Sequence, residues 1–348
     1  MRLVVQIPCY NEEAAIGEVI ADVPRDIPGV DEVLVVVVDD GSTDRTARVA
    51  LEAGADYVLH HRRNRGLAAA FRTGIDAALR LGADVVVNTD GDRQYAGSDI
   101  PRLVEPILLG RSDVVVGDRE PRRVVHFSQQ KRLLQGFGSW VVRQLSGTSV
   151  PDAPSGFRAL SREAALRLNV VSGYSYTLET LIQAGMQRLA VSSIPIVARP
   201  TNRKSRLARN TFDYVQRSMV TMLRAYAMYQ PIRVFLTLSG LLFLAGLIGI
   251  GRFIWFYAHN AGSGHVQSLV LSSVLLIIGF QVGLIGLVAD LIAANRRLLE
   301  ESLYRLRRLD LSEVTNPTNG APLNHVNESL PVEESDHDHS SSRRITHV

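Results

Sequence analysis

Two carboxylates at the end of one short apolar run are the residues in this sequence best placed to do chemistry. Asp90 and Asp92 flank Gly91 shortly after three consecutive valines, Val85–Val87. A run of β-branched residues of this kind favours a buried strand. A strand that delivers paired acids to its carboxyl end can bind a metal ion together with whatever that ion holds. The spacing therefore predicts a metal site at this strand end.

Three other predicted strands end in polar sequence of the same kind. The segments are Pro8-Cys9-Tyr10-Asn11-Glu12, Asp39-Asp40-Gly41-Ser42 and Gly117-Asp118-Arg119. A single acid at a strand end is more often a helix cap or a turn former than a ligand. Four strand ends with this chemistry favour a common site over four separate turns.

The elements that position these segments alternate along the chain. Apolar strands are predicted at residues 3–8, 32–38, 57–60, 84–90, 113–117 and 189–197, with helical stretches between most of them. Strands that are apolar throughout, rather than alternating with polar residues, indicate a parallel sheet covered on both faces. Such α/β sheets bind ligands beyond the carboxyl ends of their strands, where the polar segments lie.

Charge is unevenly distributed along the 348 residues, whose formal net charge is +3. The tail from Ser312 to Val348 has six acids against two arginines, so the remainder carries +7. The basic residues cluster between Arg119 and Arg143 and between Arg199 and Arg233. Clusters of this kind suit nucleic acid, anionic lipid headgroups or phosphate substrates. The lone Cys9 excludes an intramolecular disulfide and favours a reducing compartment.

Two long apolar runs predict a membrane anchor near the carboxyl end. Val234–Gly251 and Val266–Ala289 contain no charged residue, and each can cross a hydrocarbon core of about 30 Å as a helix. Arginines precede the first run and follow the second. By the positive-inside rule, the catalytic part and both termini are therefore cytoplasmic, and the linker 259–265 is outside. Two buried helices of a soluble protein are the alternative interpretation.

The basic segment in front of the first apolar run is better explained as an interfacial helix on anionic lipid than as a nucleic-acid patch. We therefore expect no nucleic-acid partner, and the sequence leaves a homo-oligomer open.

The domain boundaries expected from these patterns are 1–205 for the catalytic domain, 206–232 for interfacial helices, 233–294 for two transmembrane helices, 295–311 for a basic cytoplasmic helix and 312–348 for a disordered tail.

The polar segments also resemble the ordered motifs of a known family. Pro8–Glu13, Val38–Asp44, Asn64–Gly66 and Asp90–Tyr95 are similar to those of family 2 glycosyltransferases with a GT-A fold. More narrowly, the chain resembles the dolichyl- or polyprenyl-phosphate sugar synthases that have two membrane helices at the carboxyl end. The resemblance covers roughly residues 1–300. It implies a Rossmann-like, mostly parallel sheet with helices on it, followed by a transmembrane helical hairpin.

The resemblance also implies roles for individual residues. The metal, Mg²⁺ or Mn²⁺, is expected on Asp90, Asp92 and Gln94, where it neutralises charge on the leaving diphosphate. A catalytic role near the donor is expected for Asp92 and Arg119. The nucleotide sugar is expected to contact Pro8, Tyr10, Asn11, Glu12, Val38, Asp39, Asp40, Asp90, Gly91, Asp92 and Arg119.

The acceptor implied by the resemblance is a polyprenyl or dolichyl phosphate. A phosphate monoester has a second pKa of about 6, so it is a competent nucleophile at neutral pH without a strong base. The enzyme must instead position two phosphates with cations. Asp152 falls where the family has an acid near the acceptor, although a turn former is an equal alternative. The cations expected to bind the acceptor phosphate are Arg158, Arg203, Lys204 and Arg206.

The predicted function is inverting transfer of one sugar from a UDP- or GDP-linked donor to a polyprenyl or dolichyl phosphate at the cytoplasmic membrane face. A processive polysaccharide synthase is a first alternative, but the sequence has no Arg-Trp pair and too few membrane helices for a pore. A metal-dependent nucleotidyltransferase is a second, but no glycine-rich basic loop follows the first strand. A non-enzymatic membrane anchor is a third, if Asp90 and Asp92 have no catalytic use.

Overall fold

The alternating runs fold into one mixed sheet with helices packed on it. The computed structural model describes residues 1–119, 139–140, 142–144, 146–170, 176–199, 220, 231–259, 266–315 and 344–347. Within these residues the strands are β1 Arg2–Cys9, β2 Glu32–Asp39, β3 Tyr57–His60, β4 Val85–Asn88, β5 Val114–Asp118, β6 Arg158–Ser161, β7 Val191–Pro195 and β8 Arg344–His347. The helices are α1 Ile16–Ala21, α2 Thr46–Glu52, α3 Leu67–Arg80, α4 Ile100–Leu108, α5 Arg162–Arg167, α6 Tyr176–Met186, α7 Pro231–Ala258 and α8 Val266–Thr315.

The strand order in the sheet is β7-β5-β6-β4-β1-β2-β3-β8. Neighbours in the central and right-hand part, β4-β1-β2-β3, are all parallel, with Pro8 opposite Val38 and Gln6 opposite Asn88. The exception is β6, which runs antiparallel to both β4 and β5. This mostly parallel sheet with helices confirms the predicted α/β class and adds one reversed strand that the sequence did not reveal.

The core forms where the valine runs of the central strands meet the helices. Val35, Val37, Val85, Val87 and Val115 are each no more than 1% exposed. β-branched residues pack well on a pleated surface, and strands covered on both faces tolerate them at consecutive positions. The valine-rich composition therefore explains both the strands and their burial.

One glycine allows α3 to lie directly on β1. A Cβ added at Gly74 would fall 2.0 Å from Oε1 of Gln6 on the strand beneath. Glycine at this position therefore leaves room for the buried Gln6 side chain between α3 and the sheet.

The chain divides into two compact units. One comprises Met1–Met222 and Leu303–Val348, and the other, Leu223–Ser302, contains α7 and the apolar part of α8. Both α7 and the apolar part of α8 are long and apolar enough to cross a membrane. Their contact uses small residues: Ser239 Oγ donates to the carbonyl of Gly279 at 2.7 Å, and a Cβ at Gly246 would lie 2.9 Å from Leu276. Small residues let two helices approach closely, as in membrane helix pairs. The predicted helical hairpin is confirmed.

The structure adds detail at two of the predicted boundaries. The boundary predicted between residues 294 and 295 lies inside α8, which continues to Thr315 through residues with good helix propensity. The prediction of a disordered tail is wrong for residues 344–347, which extend the sheet beside β3 because that edge strand has free backbone groups to pair.

Other predictions concern residues outside those that the structure describes. The interfacial helices expected at 206–232 fall mostly there. So do most of the linker 259–265 and the tail residues 316–343.

Candidate active site

The predicted site residues lie at one edge of the sheet. Because β1, β2 and β4 run parallel, and β5 runs in the same direction through its pairing with the reversed β6, the carboxyl ends of all four strands share that edge. The reversal of β6 has a second effect. The segment that precedes it, residues 152–157, reaches the same edge. This edge is where open α/β sheets bind ligands.

Two loops at this edge are tied to one another through side chains. The amide of Asn11 donates to Ser42 Oγ at 2.8 Å, and Asn11 Oδ1 accepts from the amide of Thr43 at 2.8 Å. The amide of Glu12 donates to Thr46 Oγ1 at 2.8 Å. Asn11 itself has a φ of 52°, a left-handed conformation that asparagine tolerates better than most residues. The segment after β1 is therefore held in a defined shape by the segment after β2.

Asp39 is buried, and both of its oxygens are used within the protein. Oδ1 accepts from the amide of Ser42 at 3.0 Å and from the Ser42 hydroxyl. Oδ2 lies 2.8 Å from Nδ1 of His60, the last residue of β3. A carboxylate has further lone pairs, so a contact with the nucleotide remains open to it. That contact stays a prediction, and in this structure Asp39 shapes the loop around itself.

Asp40 is buried and holds the start of α3. Its Oδ1 lies 2.7 Å from Nδ1 of His61 and accepts from the amide of Arg65 at 2.9 Å, and its Oδ2 accepts from the amide of Gly66 at 2.7 Å. The far nitrogen of the fully buried His61 lies 3.0 Å from Thr73 Oγ1 on α3. In this structure the carboxylate fixes the turn into α3, and its contact with the nucleotide stays a prediction.

The other predicted nucleotide-binding positions after β1, β2 and β4 vary in exposure. Pro8 and Val38 are buried partners in the sheet, so only their backbones lie near the edge. Tyr10 is partly exposed. Gly91 is buried, and a Cβ there would lie 3.1 Å from Cβ of Cys9. The close approach at Gly91 brings the segment after β4 against the segment after β1, as the predicted nucleotide site requires.

Asp90 lies at the centre of the edge, beside the segment that precedes β6. A Cβ added at Gly156 would be 2.9 Å from both carboxylate oxygens of Asp90 and 2.9 Å from the hydroxyl of Tyr176. Burial and the nearby carboxylate of Asp92 raise the pKa of Asp90 to about 7, against the opposing effect of Arg119. Crowded carboxylates of this kind are relieved by a bound cation.

The donor set suits a hard divalent cation. The Asp92 carboxylate accepts from the amide of Gln94 at 3.1 Å, which places the two side chains on one tight turn. Among the described residues, no group of three or more His, Cys, Asp and Glu side chains is arranged to hold a metal. Mg²⁺ is commonly bound by one or two carboxylates together with substrate phosphates, so Asp90 and Asp92 fit a site that a nucleotide completes.

Arg119 and Asp152 form a buried ion pair beside this turn. Nε and Nη2 of Arg119 donate to the two oxygens of Asp152 at 2.7 and 2.9 Å, and the Arg119 amide donates to Oδ2 at 3.2 Å. Asp152 is fully buried and Arg119 is 8% exposed. The remaining nitrogen, Nη1, donates to Oε1 of Gln94 at 3.4 Å. These contacts favour positioning of Arg119 by Asp152 over assistance to the acceptor.

Arg158 lies below the edge and does not face the solvent. It is 1% exposed, and its guanidinium donates to the carbonyls of Ser155 and Ala153 at 2.9 and 2.7 Å and to Thr180 Oγ1 at 2.7 Å. Burial lowers the pKa of Arg158 to about 10, although Tyr176 opposes this shift. In this structure Arg158 holds the segment between Asp152 and Gly156 in place, and its binding of acceptor phosphate stays a prediction.

Comparison with known proteins agrees with this geometry. Residues 4–168 match the family described as glycosyl transferase family 2. Over 211 residues the chain is 30% identical to the UDP-N-acetylglucosamine–dolichyl-phosphate N-acetylglucosaminyltransferase of Methanococcus voltae, covering 55% of this chain and 82% of the relative. Over 206 residues it is 32% identical to the polyprenol monophosphomannose synthase of Mycolicibacterium smegmatis, covering 56% and 76%.

The chain belongs to glycosyltransferase family 2. Residues 230–294 of this glycosyltransferase match a second family, the GtrB C-terminal hairpin. Its fold is similar to that of glucosyl-3-phosphoglycerate synthase from Mycobacterium tuberculosis, solved with Mn²⁺, UDP-glucose and phosphoglyceric acid. The TM-score is 0.51 at 24% identity, over 65% of this chain and 80% of that one. At this identity the likeness concerns the GT-A-like fold alone.

A series of buried, hydrogen-bonded polar side chains lies beneath the sheet edge of this glycosyltransferase and was not predicted from the sequence. Gln6 Nε2 donates to Asn88 Oδ1 at 2.9 Å, and Asn88 Nδ2 donates to the carbonyl of Gly156 at 2.7 Å and to the Tyr176 hydroxyl at 2.8 Å. The ring of Tyr176 stacks on Phe71 of α3, with centroids 4.0 Å apart. The available signal was a polar residue inside each of two apolar strands, Gln6 and Asn88.

The two consecutive histidines at the end of β3, His60 and His61, were also missed. They lie at a strand end just as the acids do, and this placement was the signal that could have found them. Three of the predicted acceptor-phosphate residues of this glycosyltransferase, Arg203, Lys204 and Arg206, lie outside the part of the chain that the structure describes.

Proposed function

We propose that this glycosyltransferase transfers one sugar from a UDP- or GDP-linked donor, with inversion, to the phosphate of a polyprenyl or dolichyl phosphate at the cytoplasmic face of a membrane. The product is a lipid-phosphate-linked sugar. One observation carries the proposal: two crowded carboxylates, Asp90 and Asp92, share a sheet edge with the buried cation Arg119, in a chain that also contains an apolar helical hairpin.

The names of the relatives support a lipid-phosphate acceptor. The proteins of Methanococcus voltae and Mycolicibacterium smegmatis are named for transfer to dolichyl phosphate and to polyprenol monophosphate. This chain covers 82% and 76% of those proteins and shares about a third of the aligned residues. The hairpin supports the same acceptor, since a polyprenyl chain resides in the membrane that the hairpin is long enough to cross.

On this proposal, Asp90 and Asp92 would hold Mg²⁺ or Mn²⁺, with Gln94 as a third ligand. The cation supplies positive charge to the diphosphate that leaves. Arg119 adds a fixed positive charge at the same edge, and its orientation is set by both oxygens of Asp152. A cation that is already oriented before the reaction costs no reorganisation when charge develops on the leaving group.

The bond changes need no protein base. An oxygen of the acceptor phosphate attacks the anomeric carbon, the bond between that carbon and the diphosphate breaks, and its electron pair leaves with the nucleoside diphosphate. Attack opposite the leaving group inverts the configuration. Because a phosphate monoester has a second pKa of about 6, it is largely dianionic at neutral pH and has no proton to lose. We propose that the basic residues Arg203, Lys204 and Arg206 bind this dianion.

A labelling experiment tests the proposal. Membranes containing the full-length protein are incubated with a panel of radiolabelled nucleotide sugars, with and without EDTA, and the lipids are extracted. Label is expected in the organic phase with one donor, as a single-sugar product, and EDTA should abolish it. Asp92→Ala should reduce the label at least about a hundredfold, since an electrostatic contact at the leaving group is worth that much. The exposed Asp26→Ala is the matched control and should retain activity.

Three results would contradict the proposal. They are an organic phase without label for every donor, a polymeric product, and full activity of Asp92→Ala. The membrane face is tested separately with Ser263→Cys, since the native Cys9 is buried. On the proposed orientation, an impermeant maleimide added to intact cells should label this variant from outside. Labelling only after the cells are opened would overturn that orientation.

A further inference from the structure

The loop that carries Gln94, residues 93–99, contacts Asp22, a residue that the proposed mechanism does not use. Asp22, directly after α1, accepts with Oδ2 from the amide of Gly97 at 2.8 Å and from Nη1 of Arg199 at 3.2 Å. The amide of Arg199 in turn donates to the carbonyl of Gln94 at 2.9 Å. One carboxylate and one arginine therefore fix the loop at two points, Gln94 and Gly97.

The loop packs tightly against the backbone at the end of α1. A Cβ added at Gly97 would fall 2.0 Å from the carbonyl oxygen of Asp22, so the loop lies directly against the end of α1. Arg93, one residue before Gln94, has a φ of 63° and pairs with Glu18 of α1. A left-handed arginine is strained, and such strain persists only where surrounding contacts impose it. The contacts to α1 are therefore what hold the loop in this shape.

Ile196 and Arg199 fix the course of the chain after β7. β7 ends at Pro195, and the amide of Ile196 donates to the carbonyl of Asp118 on β5 at 2.8 Å. Arg199 comes four residues before Arg203, the first of the basic residues proposed to bind the acceptor phosphate. The chain that enters this basic segment is thus fastened to the loop that carries the proposed metal ligand Gln94.

We propose that Asp22 and Arg199 form a latch that sets the proposed metal loop and the entry of the acceptor-binding segment in one fixed relation. Both are positioning residues, and the inference rests on the proposed function for the identity of the acceptor. An exposed ion pair by itself contributes little. Here the pair acts together with the hydrogen bonds of two backbone amides, those of Gly97 and Arg199, so its loss frees residues 94–97 from Asp22 and Arg199. The expected loss is about tenfold in acceptor binding, the size of one hydrogen bond to a charged group.

Two substitutions at Asp22 separate the parts of the latch. Asp22→Asn keeps an acceptor for the amide of Gly97 but removes the charge that pairs with Arg199, whereas Asp22→Ala removes both. At the other end, Arg199→Gln removes the charge and Arg199→Lys restores it. Arg48→Gln is the control, because Arg48 is an exposed arginine paired with Glu52 on its own helix.

The first measurement is hydrogen–deuterium exchange of the peptide spanning residues 93–99 in the full-length protein without metal or substrate. Exchange should be about tenfold faster in Asp22→Ala and Arg199→Gln, and unchanged in Arg48→Gln and Arg199→Lys. The second measurement is steady-state kinetics. In Asp22→Asn and Arg199→Gln, KM for the lipid acceptor should rise about tenfold and more Mn²⁺ should be needed for half-maximal transfer, while kcat at saturating Mn²⁺ stays within about twofold. The double variant should be no worse than the worse single one.

Wild-type exchange in Asp22→Ala would overturn the latch, as would equal losses of kcat with both substrates or a failure of Arg199→Lys to restore acceptor KM. The exchange measurement does not depend on the acceptor. If the wild-type protein transferred no sugar to lipid, the proposed function would fail while the exchange result would still decide whether Asp22 and Arg199 hold the loop.

Discussion

The acids that follow β2 and β4 differ in what they contact, and the contacts divide them into two kinds. Asp40 is buried and accepts from His61, Arg65 and Gly66, while Asp92 is partly exposed and accepts from the amide of Gln94. The first kind fixes backbone. The second leaves lone pairs for a ligand, at the cost of repulsion from a neighbouring carboxylate.

Asp40→Ala and Asp92→Ala should therefore have opposite effects. Asp40→Ala leaves the buried ring of His61 and the amides of Arg65 and Gly66 without their acceptor and should lower the free energy of unfolding by about 3 kcal/mol. Asp92→Ala relieves repulsion at Asp90, so stability should stay within about 1 kcal/mol while transfer is lost. Denaturant unfolding in detergent and the lipid-labelling assay measure the two effects. An unstable Asp92→Ala variant, or a stable Asp40→Ala variant, would contradict this division.

The contacts of Asp152 predict that it does not act as a general base. Because both of its oxygens accept from Arg119, Asp152 should neither take up nor release a proton during the reaction. Asp152→Asn should lower stability by about 3 kcal/mol, since it leaves a buried charge without its partner, and should lower kcat. The pH dependence of kcat/KM in the surviving activity should keep the wild-type shape. If the acidic limb disappeared in the variant, Asp152 would be acting as a general base.

At the scale of elements, the sequence predicted the strands because their valine runs are long, and it predicted the site edge because the acids follow those runs. It contained no signal for the direction of β6, since direction depends on how the chain returns to the sheet and not on composition. That reversal is what brings residues 152–157 to the edge. For the same reason the sequence did not reveal the contacts that Asp40 and Arg158 make within the protein, because only the loops decide which side of each residue is buried.

The approach of this segment to β4 yields a prediction at Gly156. A Cβ there would press on both oxygens of Asp90, so Gly156→Ala should displace that carboxylate and lower stability by about 1–3 kcal/mol. Transfer should fall, and more Mn²⁺ should be needed to support it. Gly17→Ala in α1 is the matched control, because its Cβ would lie 3.5 Å or more from its neighbours and should be neutral or stabilising. Equal Mn²⁺ dependence of the two variants would exclude the proposed pressure on Asp90.

At the scale of the whole molecule, α8 belongs to both compact units. Its apolar part lies in the unit Leu223–Ser302, and from Leu303 onward it is part of the catalytic unit. There Tyr304 donates to Glu163 Oε2 on α5 at 3.1 Å and lies beneath Arg167, whose guanidinium carbon is 4.8 Å from the ring centroid. Arg307 donates to the carbonyl of Leu166 at 3.4 Å. The final turns of a helix predicted only as a basic cytoplasmic segment thus form part of the catalytic fold.

Tyr304→Ala should therefore destabilise the catalytic unit, although the residue is distant in sequence from every site motif. It removes a hydrogen bond to a charged group and a cation–π contact, together about 2 kcal/mol. Thermal unfolding of the full-length variant in detergent should show the loss. Limited proteolysis should show it as faster cleavage within residues 1–199. Leu306→Ala, at a side chain that is 64% exposed, is the control and should have little effect. Because the contacts of Tyr304 are with α5 and not with the metal loop, the Mn²⁺ dependence of transfer should stay unchanged. A changed Mn²⁺ dependence would show instead that this end of α8 acts on the site.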